Sequence, residues 1–320
     1  MDNIDTLVLS SGGIKGIMFL GCASGLKEHG IIDNIKHYIG CSAGALTAAL
    51  LAAEVDPRDI FSKSLYLDPC DWNTRITATQ GLIKAQRLRT VLEHFLGDKT
   101  LKDLKARVTF STLNLHQRKT VYIDTKTHPD LNVVNAIMMS CSIPILFPTV
   151  EYCDEYYVDG AVCDPFPIHL AENPERTLGI NINPFNEFYQ SIEMYNKNSK
   201  VTKINSFKIV ALSLFSAVMR EISKLRNIER YTVLELEPNC GTNMISSDAE
   251  QRVFLYHRGL SQFKDFYPLY TEHRGMAAND YDAGNVIRRS QSGLLSSQAG
   301  LALQQGMSTE LDALVASLQP

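Results

Sequence analysis

Gly40-Cys41-Ser42-Ala43-Gly44 sets a serine at the centre of a G-x-S-x-G pattern. Between a strand and a helix, such a serine rides a sharp turn that thrusts its Oγ out of the sheet, where it can act as a nucleophile. The small flanking residues let the backbone turn without Cβ collisions. The same residues also suit a glycine-rich turn that packs a helix onto a strand, so the pattern alone leaves both readings open. Ser10-Ser11-Gly12-Gly13-Ile14-Lys15-Gly16 is a second turn of this kind. Its amides and the helix start behind them suit an anion, either a phosphate or the oxyanion of a tetrahedral intermediate. It is not a dinucleotide fingerprint, because Ser11 replaces the first glycine of G-x-G-x-x-G and Asp33 does not end a strand. It is not a P-loop either, because Gly16 is followed by Ile17. Asp159-Gly160-Ala161 ends an apolar run and opens a loop; taken alone it reads as an ordinary Asp-Gly turn.

The elements that position these residues follow from hydrophobic runs. Leu7-Val8-Leu9 and His37-Tyr38-Ile39 read as buried strands, and Ile17 to Leu26 and Ala43 to Ala53 as helices. Strand, helix, strand, helix within the first fifty residues implies a parallel sheet covered on both faces. Further strands are expected over 108–115, 120–123, 156–158, 177–182 and 232–236, and helices over 85–95, 133–139, 207–225 and 249–266. From about Thr271 the chain reads as a charged loop and then a Gln-, Ser- and Ala-rich tail. In that tail Met307, Leu311, Leu314, Val315 and Leu318 form a narrow helical stripe, suited to docking on the domain or on a second subunit. The expected organisation is a catalytic domain over 1–268 and a C-terminal extension over 269–320.

Composition excludes several classes. The 320 residues are 45% hydrophobic and 21% charged, ordinary for a globular chain with a sizeable core. A net charge of −4 leaves no basic surplus for a phosphate backbone, so nucleic acid is not an expected partner. The seven cysteines form no C-x-x-C pair and no metal spacing, and read as thiols in a reducing, cytoplasmic setting. The eight histidines show no H-E-x-x-H pattern, so neither metal nor cofactor is expected. No signal-peptide pattern opens the chain and no apolar run reaches the length of a membrane span. The apolar stretch 207–219 reads as a core helix, with a membrane-interface helix as the alternative.

Taken together, Ser11-Gly12-Gly13-Ile14-Lys15-Gly16, Gly40-Cys41-Ser42-Ala43-Gly44 and Asp159-Gly160-Ala161 resemble the patatin-like phospholipase family in order and approximate spacing. The resemblance extends through Gly81-Leu82-Ile83, Leu88-Arg89, Leu96-Gly97-Asp98-Lys99-Thr100, and Ser140-Cys141-Ser142-Ile143-Pro144 with Phe147-Pro148. It implies a three-layer α/β/α sandwich around a mostly parallel sheet, and a Ser–Asp dyad without a catalytic histidine. By residue match Ser42 is the nucleophile, Asp159 its partner, Gly12 and Gly13 the oxyanion donors, and Gly40 and Gly44 the frame of the elbow. Lys15 would fix the loop. The implied activity is that of a lipid acyl hydrolase of phospholipase A or lysophospholipase type. It would work without a cofactor, on membrane phospholipid or lysophospholipid, with peripheral membrane contact. Ser11 departs from the family's usual glycine and supports a second reading, a lipid-binding or scaffold protein of the same fold. A third is an esterase with a Ser–His–acid triad, its histidine being His257 or His273. His169 could imitate such a base but reads as a surface residue.

Overall fold

The computed structural model describes residues 3–66, 85–144, 146–182, 230–239 and 247–275. The helix expected over 207–225, the tail stripe over 307–318, the segment 81–83 and residues Cys70, Trp72 and Cys240 lie outside them. The first compact unit, Met1–Thr271, holds the sheet. Its core strands, numbered in chain order, are β1 (Thr6–Leu9), β2 (His37–Cys41), β3 (Arg107–Asn114), β7 (Thr177–Ile182) and β8 (Thr232–Leu236). They run parallel in the spatial order β3-β2-β1-β7-β8. Every residue of β1 and β2 is buried, as continuous apolar runs in a doubly covered parallel sheet require.

The antiparallel strands β4 (Lys119–Asp124), β5 (Val150–Tyr152) and β6 (Glu155–Asp159) make the sheet mixed, though mostly parallel. β4 lines one edge of β3 and β2 the other. β2 ends at Cys41, opposite Ser111; β6 then takes over along that same edge, with Asp159 opposite Thr112. Two strands running in opposite directions thus meet end to end on consecutive residues of β3. The residue after β2 is Ser42, and the last residue of β6 is Asp159.

Helices α1 (Ile17–Glu28) and α2 (Ala43–Ala52) join neighbouring parallel strands that step in one direction across the sheet. Right-handed crossovers then put both on one face. Gly40 marks that face, since a Cβ there would lie 2.6 Å from the Ala45 amide of α2. The opposite face carries Val8, Ile39 and Val233 packed on Phe166, Ile168 and Ala171. α3 (Pro57–Leu65) begins at Asp56, whose side chain accepts the Arg58 N–H as an N-cap, with Pro57 in the first turn. α4 (Gln86–Leu96) buries Leu92 and Leu96, and α5 (Val133–Cys141) is capped by Asn132. The chain is therefore an α/β fold whose mostly parallel central sheet is flanked by helices.

The last helix, α6 (Ala249–Gly275), corrects the sequence-based reading of a helix ending at Phe266 and a loop from Thr271. Pro268 lies inside it. An interior proline costs a helix roughly 3 kcal/mol, but Phe266 and Tyr270 on either side of it are buried, with ring centroids 5.8 Å apart. Aromatic burial on both flanks holds the helix through the break. Among the described residues, no helix is long and apolar enough to cross a membrane.

Candidate active site

The β2–α2 turn places Ser42 at φ 54°, ψ −121°, a conformation that favours glycine and costs a serine on the order of 1–3 kcal/mol. Close packing enforces it. A Cβ at Gly44 would lie 2.4 Å from the carbonyl oxygens of Leu9 and Ser10, so only glycine lets α2 start this near the end of β1. The Ser42 carbonyl begins the helix by accepting the Leu46 N–H at 3.0 Å. Its side chain is thereby directed across the gap between the ends of β2 and β6. There Ser42 Oγ donates to Asp159 Oδ2 at 2.6 Å.

Asp159 is 1% exposed. Its other oxygen, Oδ1, accepts the Ala161 N–H at 2.7 Å, and the Cys41 thiol approaches the same oxygen at 3.9 Å. Burial pushes the Asp159 carboxyl up to about 6, against the pull of the hydrogen bonds from Ser42, Ala161 and Cys41. Cys41 and Cys141 stay thiols: burial and the nearby Asp159 charge hold both well above the ordinary cysteine value. Cys41 thus packs beneath the carboxylate, and the hydroxyl held against that carboxylate is that of Ser42.

The glycine loop lies against the same helix start. Gly12 caps a short 3-10 turn, Gly13–Gly16, and Gly13 takes φ +54°, which a residue with a Cβ rarely adopts. Gly16 packs on Ala43, the residue after the serine, where an added Cβ would meet Ala43 Cβ at 2.5 Å. Among the described residues, neither the Gly12 nor the Gly13 N–H donates to a backbone carbonyl. Ser11 does not have positive φ, so its place in the loop needs no glycine, and its N–H donates to the Pro165 carbonyl at 2.7 Å. The Ser10 hydroxyl donates to the Ser11 carbonyl and accepts the Ile182 N–H, tying the loop to β7. Lys15 is buried at the helical end of the turn.

Among the described residues, no histidine nitrogen is hydrogen-bonded to Ser42 Oγ. The His169 side chain is 57% exposed, with Nδ1 3.8 Å from Asp164 and Nε2 3.3 Å from the Tyr122 hydroxyl. His257 packs edge-on to Tyr256 within α6, and His273 lies in that helix's last turn. Among the described residues, no cluster of three or more His, Cys, Asp or Glu side chains is grouped as a metal site would need.

Three polar residues without an assigned role in the sequence stand directly behind the pair. The Ser140 hydroxyl accepts the Ser42 N–H at 3.0 Å and donates to the Ser111 carbonyl at 2.7 Å. The Ser142 carbonyl accepts the Asp159 N–H at 2.9 Å. Their signal was present in the sequence as hydroxyl residues interrupting apolar runs: Ser111 in a strand, Ser140 and Ser142 at a helix end.

Comparison with known proteins shows the family to which the chain belongs. The family model described as patatin-like phospholipase matches residues 7–172. The protein named "Probable lipid hydrolase 463L" of Invertebrate iridescent virus 6 is 25% identical over 278 residues, covering 79% of this chain and 86% of its own length. The uncharacterized protein R571 of Acanthamoeba polyphaga mimivirus is 24% identical over 290 residues, covering 82% of this chain and 93% of its own. Among solved structures, VipD from Legionella pneumophila superposes with a TM-score of 0.57 at 18% identity, over 97% of this chain and 77% of that one, a likeness of fold.

Proposed function

Because the chain belongs to the patatin-like phospholipase family, we propose that it is a serine lipid acyl hydrolase that cleaves carboxylic esters of phospholipids or lysophospholipids through an acyl-Ser42 intermediate. The observation that carries this reading is the 2.6 Å contact between the Ser42 hydroxyl and a fully buried carboxylate. A solvated Asp, with a value near ~3.9, is too weak a base to take a serine proton at neutral pH. Burial moves Asp159 up to about 6, which favours proton transfer while leaving most of it ionised at pH 7.

In the first half-reaction Ser42 Oγ attacks the ester carbonyl and its proton passes to Asp159. The Gly12 and Gly13 amides donate to the oxyanion. The tetrahedral intermediate collapses, the C–O bond to the glycerol side breaks, and Asp159 returns the proton to the leaving alkoxide. In the second half-reaction water attacks the acyl-enzyme, Asp159 takes a water proton, and collapse releases the fatty acid while the proton returns to Ser42 Oγ. Substrate therefore reaches the protein as a membrane lipid, and membrane contact is peripheral. That Ser11 stands where the family usually has glycine supports the catalytic reading no less, because its φ is not positive and needs no glycine.

The test is labelling with a lipid-like fluorophosphonate and mass mapping of the adduct. The expected adduct is on Ser42, and it disappears in Ser42→Ala. Asp159→Asn should depress ester turnover by roughly 10⁴-fold, because members of one catalytic unit fail together. An unlabelled, folded wild-type protein, or an adduct on another residue, overturns the acyl-enzyme mechanism.

A further inference from the structure

We infer that the last turn of α5 sets the distance between Ser42 and Asp159, and that Ser140 is a positioning residue for the nucleophile. This rests on the reading of Ser42 as nucleophile. Ser42 and Asp159 belong to separate strands, β2 leading into the first and β6 ending in the second, and those strands meet only along β3. Residues of a single helix turn hold the main-chain amide of each: Ser140 Oγ accepts from Ser42, and the Ser142 carbonyl accepts from Asp159. The turn is itself anchored. The Ser140 hydroxyl proton is directed to the Ser111 carbonyl, and the Ser142 hydroxyl donates to the Met138 carbonyl at 2.7 Å. All three serines are 1% exposed or less, so no water competes for these bonds.

The arrangement has a directional logic. With its own proton given to Ser111, the Ser140 oxygen presents a lone pair to the Ser42 N–H and has no proton left with which to repel it. Ser111 also braces the acid. Its hydroxyl donates to the Asp164 carbonyl at 2.9 Å, and Gly160 lies so close that a Cβ there would meet the Ser111 carbonyl oxygen at 2.2 Å. The strained Ser42 backbone is thus tethered to the same β3 residue against which the acid's loop is packed. A second consequence follows: the Ser42 amide is committed to Ser140, so the oxyanion must be met by the glycine loop rather than by the nucleophile's own N–H.

The test compares wild type, Ser140→Ala and Ser140→Thr for the rate of fluorophosphonate inactivation, kcat and KM on a soluble short-chain ester, the pH dependence of kcat, and thermal stability. Removing the hydroxyl frees the Ser42 amide, and a misplacement approaching 1 Å lowers reactivity by roughly 10- to 10²-fold. The loss should fall on kcat with KM unchanged. The acid limb of the kcat profile should move to higher pH, because Asp159 loses the Ser42 hydrogen bond that holds its carboxyl down. Ser140→Thr keeps the hydroxyl and should restore most of the rate. A purely structural residue would lower the melting temperature without moving the acid limb. Should Ser140→Ala fail to fold, Ser140→Cys keeps the shape with a far weaker hydrogen-bonding group, and the same losses are expected. A folded Ala or Cys variant with wild-type inactivation rate and an unmoved acid limb overturns the inference, as does a folded Thr variant as slow as Ala. Failure of the wild type to label at Ser42 would instead overturn the nucleophile reading itself.

Discussion

Asp159 carries opposing demands at the scale of a single side chain. In the proposed mechanism it must be ionised to accept the serine proton, yet it is buried where charge is costly, and its value of about 6 expresses that balance. Turnover should therefore follow the ionised fraction. The logarithm of kcat/KM on a soluble ester should be level above about pH 7 and fall by one unit per pH unit below about 6. A soluble ester is needed so that titration of a lipid surface does not enter. The histidine reading makes a different prediction, because a triad base would be lost on replacing His169 or His257. Each of those variants should keep the wild-type profile. A profile flat to pH 5, or one that a single histidine replacement displaces, would show that Asp159 is not the titrating base.

Among the elements, α1 and α6 cross with their backbones in contact. A Cβ at Gly21 of α1 would lie 2.1 Å from the Tyr256 carbonyl oxygen, and one at Gly259 of α6 would lie 2.1 Å from that of Met18. The Cys22 thiol donates to the Gly259 carbonyl across the same crossing. Even one methyl group must drive the helices apart. Gly21→Ala should cost about 1–3 kcal/mol of unfolding free energy, read from the urea midpoint. Adding Gly259→Ala should cost less than the sum, since one separation relieves both. An unchanged midpoint in Gly21→Ala would show that the helices are not held at this spacing. Neither glycine stands out in the sequence, because their use depends on a partner more than two hundred residues away. The contrast with the site is physical. Gly12, Gly13, Gly40, Gly44 and Asp159 belong to turns whose chemistry is local, so short motifs disclose them. β1, β2 and the elbow helix are legible for the same reason, as uninterrupted apolar runs with sharp ends. Ser111, Ser140 and Ser142 act through pairings between distant segments, and only the register of β3 with β2 and β6 brings them behind the Ser42–Asp159 pair. The extent of α6 was hidden for a related reason: Pro268 is a local stop signal that the tertiary burial of Phe266 and Tyr270 overrides.

Across the whole molecule, two buried groups at opposite ends of the sheet pull stability in opposite directions with pH. Asp159 lies at the C-terminal ends of the parallel strands. His37 opens β2 at the other end, where its Nε2 is 2.7 Å from the Thr109 hydroxyl, which in turn donates to Asp124. Burial, helped by the Arg107 charge, lowers His37 to about 4, so the folded protein keeps it neutral. Between about pH 4 and 6.5 the unfolded chain binds a proton at His37 that the native state refuses, and stability from this residue rises with pH. Asp159 behaves conversely. Its folded value lies above its unfolded one, so between about pH 4 and 6 the native state holds the extra proton and stability from this residue falls as pH rises. Each slope approaches about 1.4 kcal/mol per pH unit, and in the wild type they largely cancel between pH 5 and 6. Asp159→Asn removes one of them. Its unfolding free energy, from urea titrations at pH 5, 5.5, 6 and 7.5, should therefore climb with pH between 5 and 6 more steeply than that of the wild type. Above about pH 7 the difference between the two proteins should become constant, with the variant relieved of a burial penalty on the order of 3 kcal/mol. What decides the matter is the slope and not the offset, because the substitution also changes the hydrogen bonds to Ser42 and Ala161 by a pH-independent amount. Parallel curves for the two proteins between pH 5 and 6 would mean that Asp159 is already ionised there, and would remove the basis for its strength as a base.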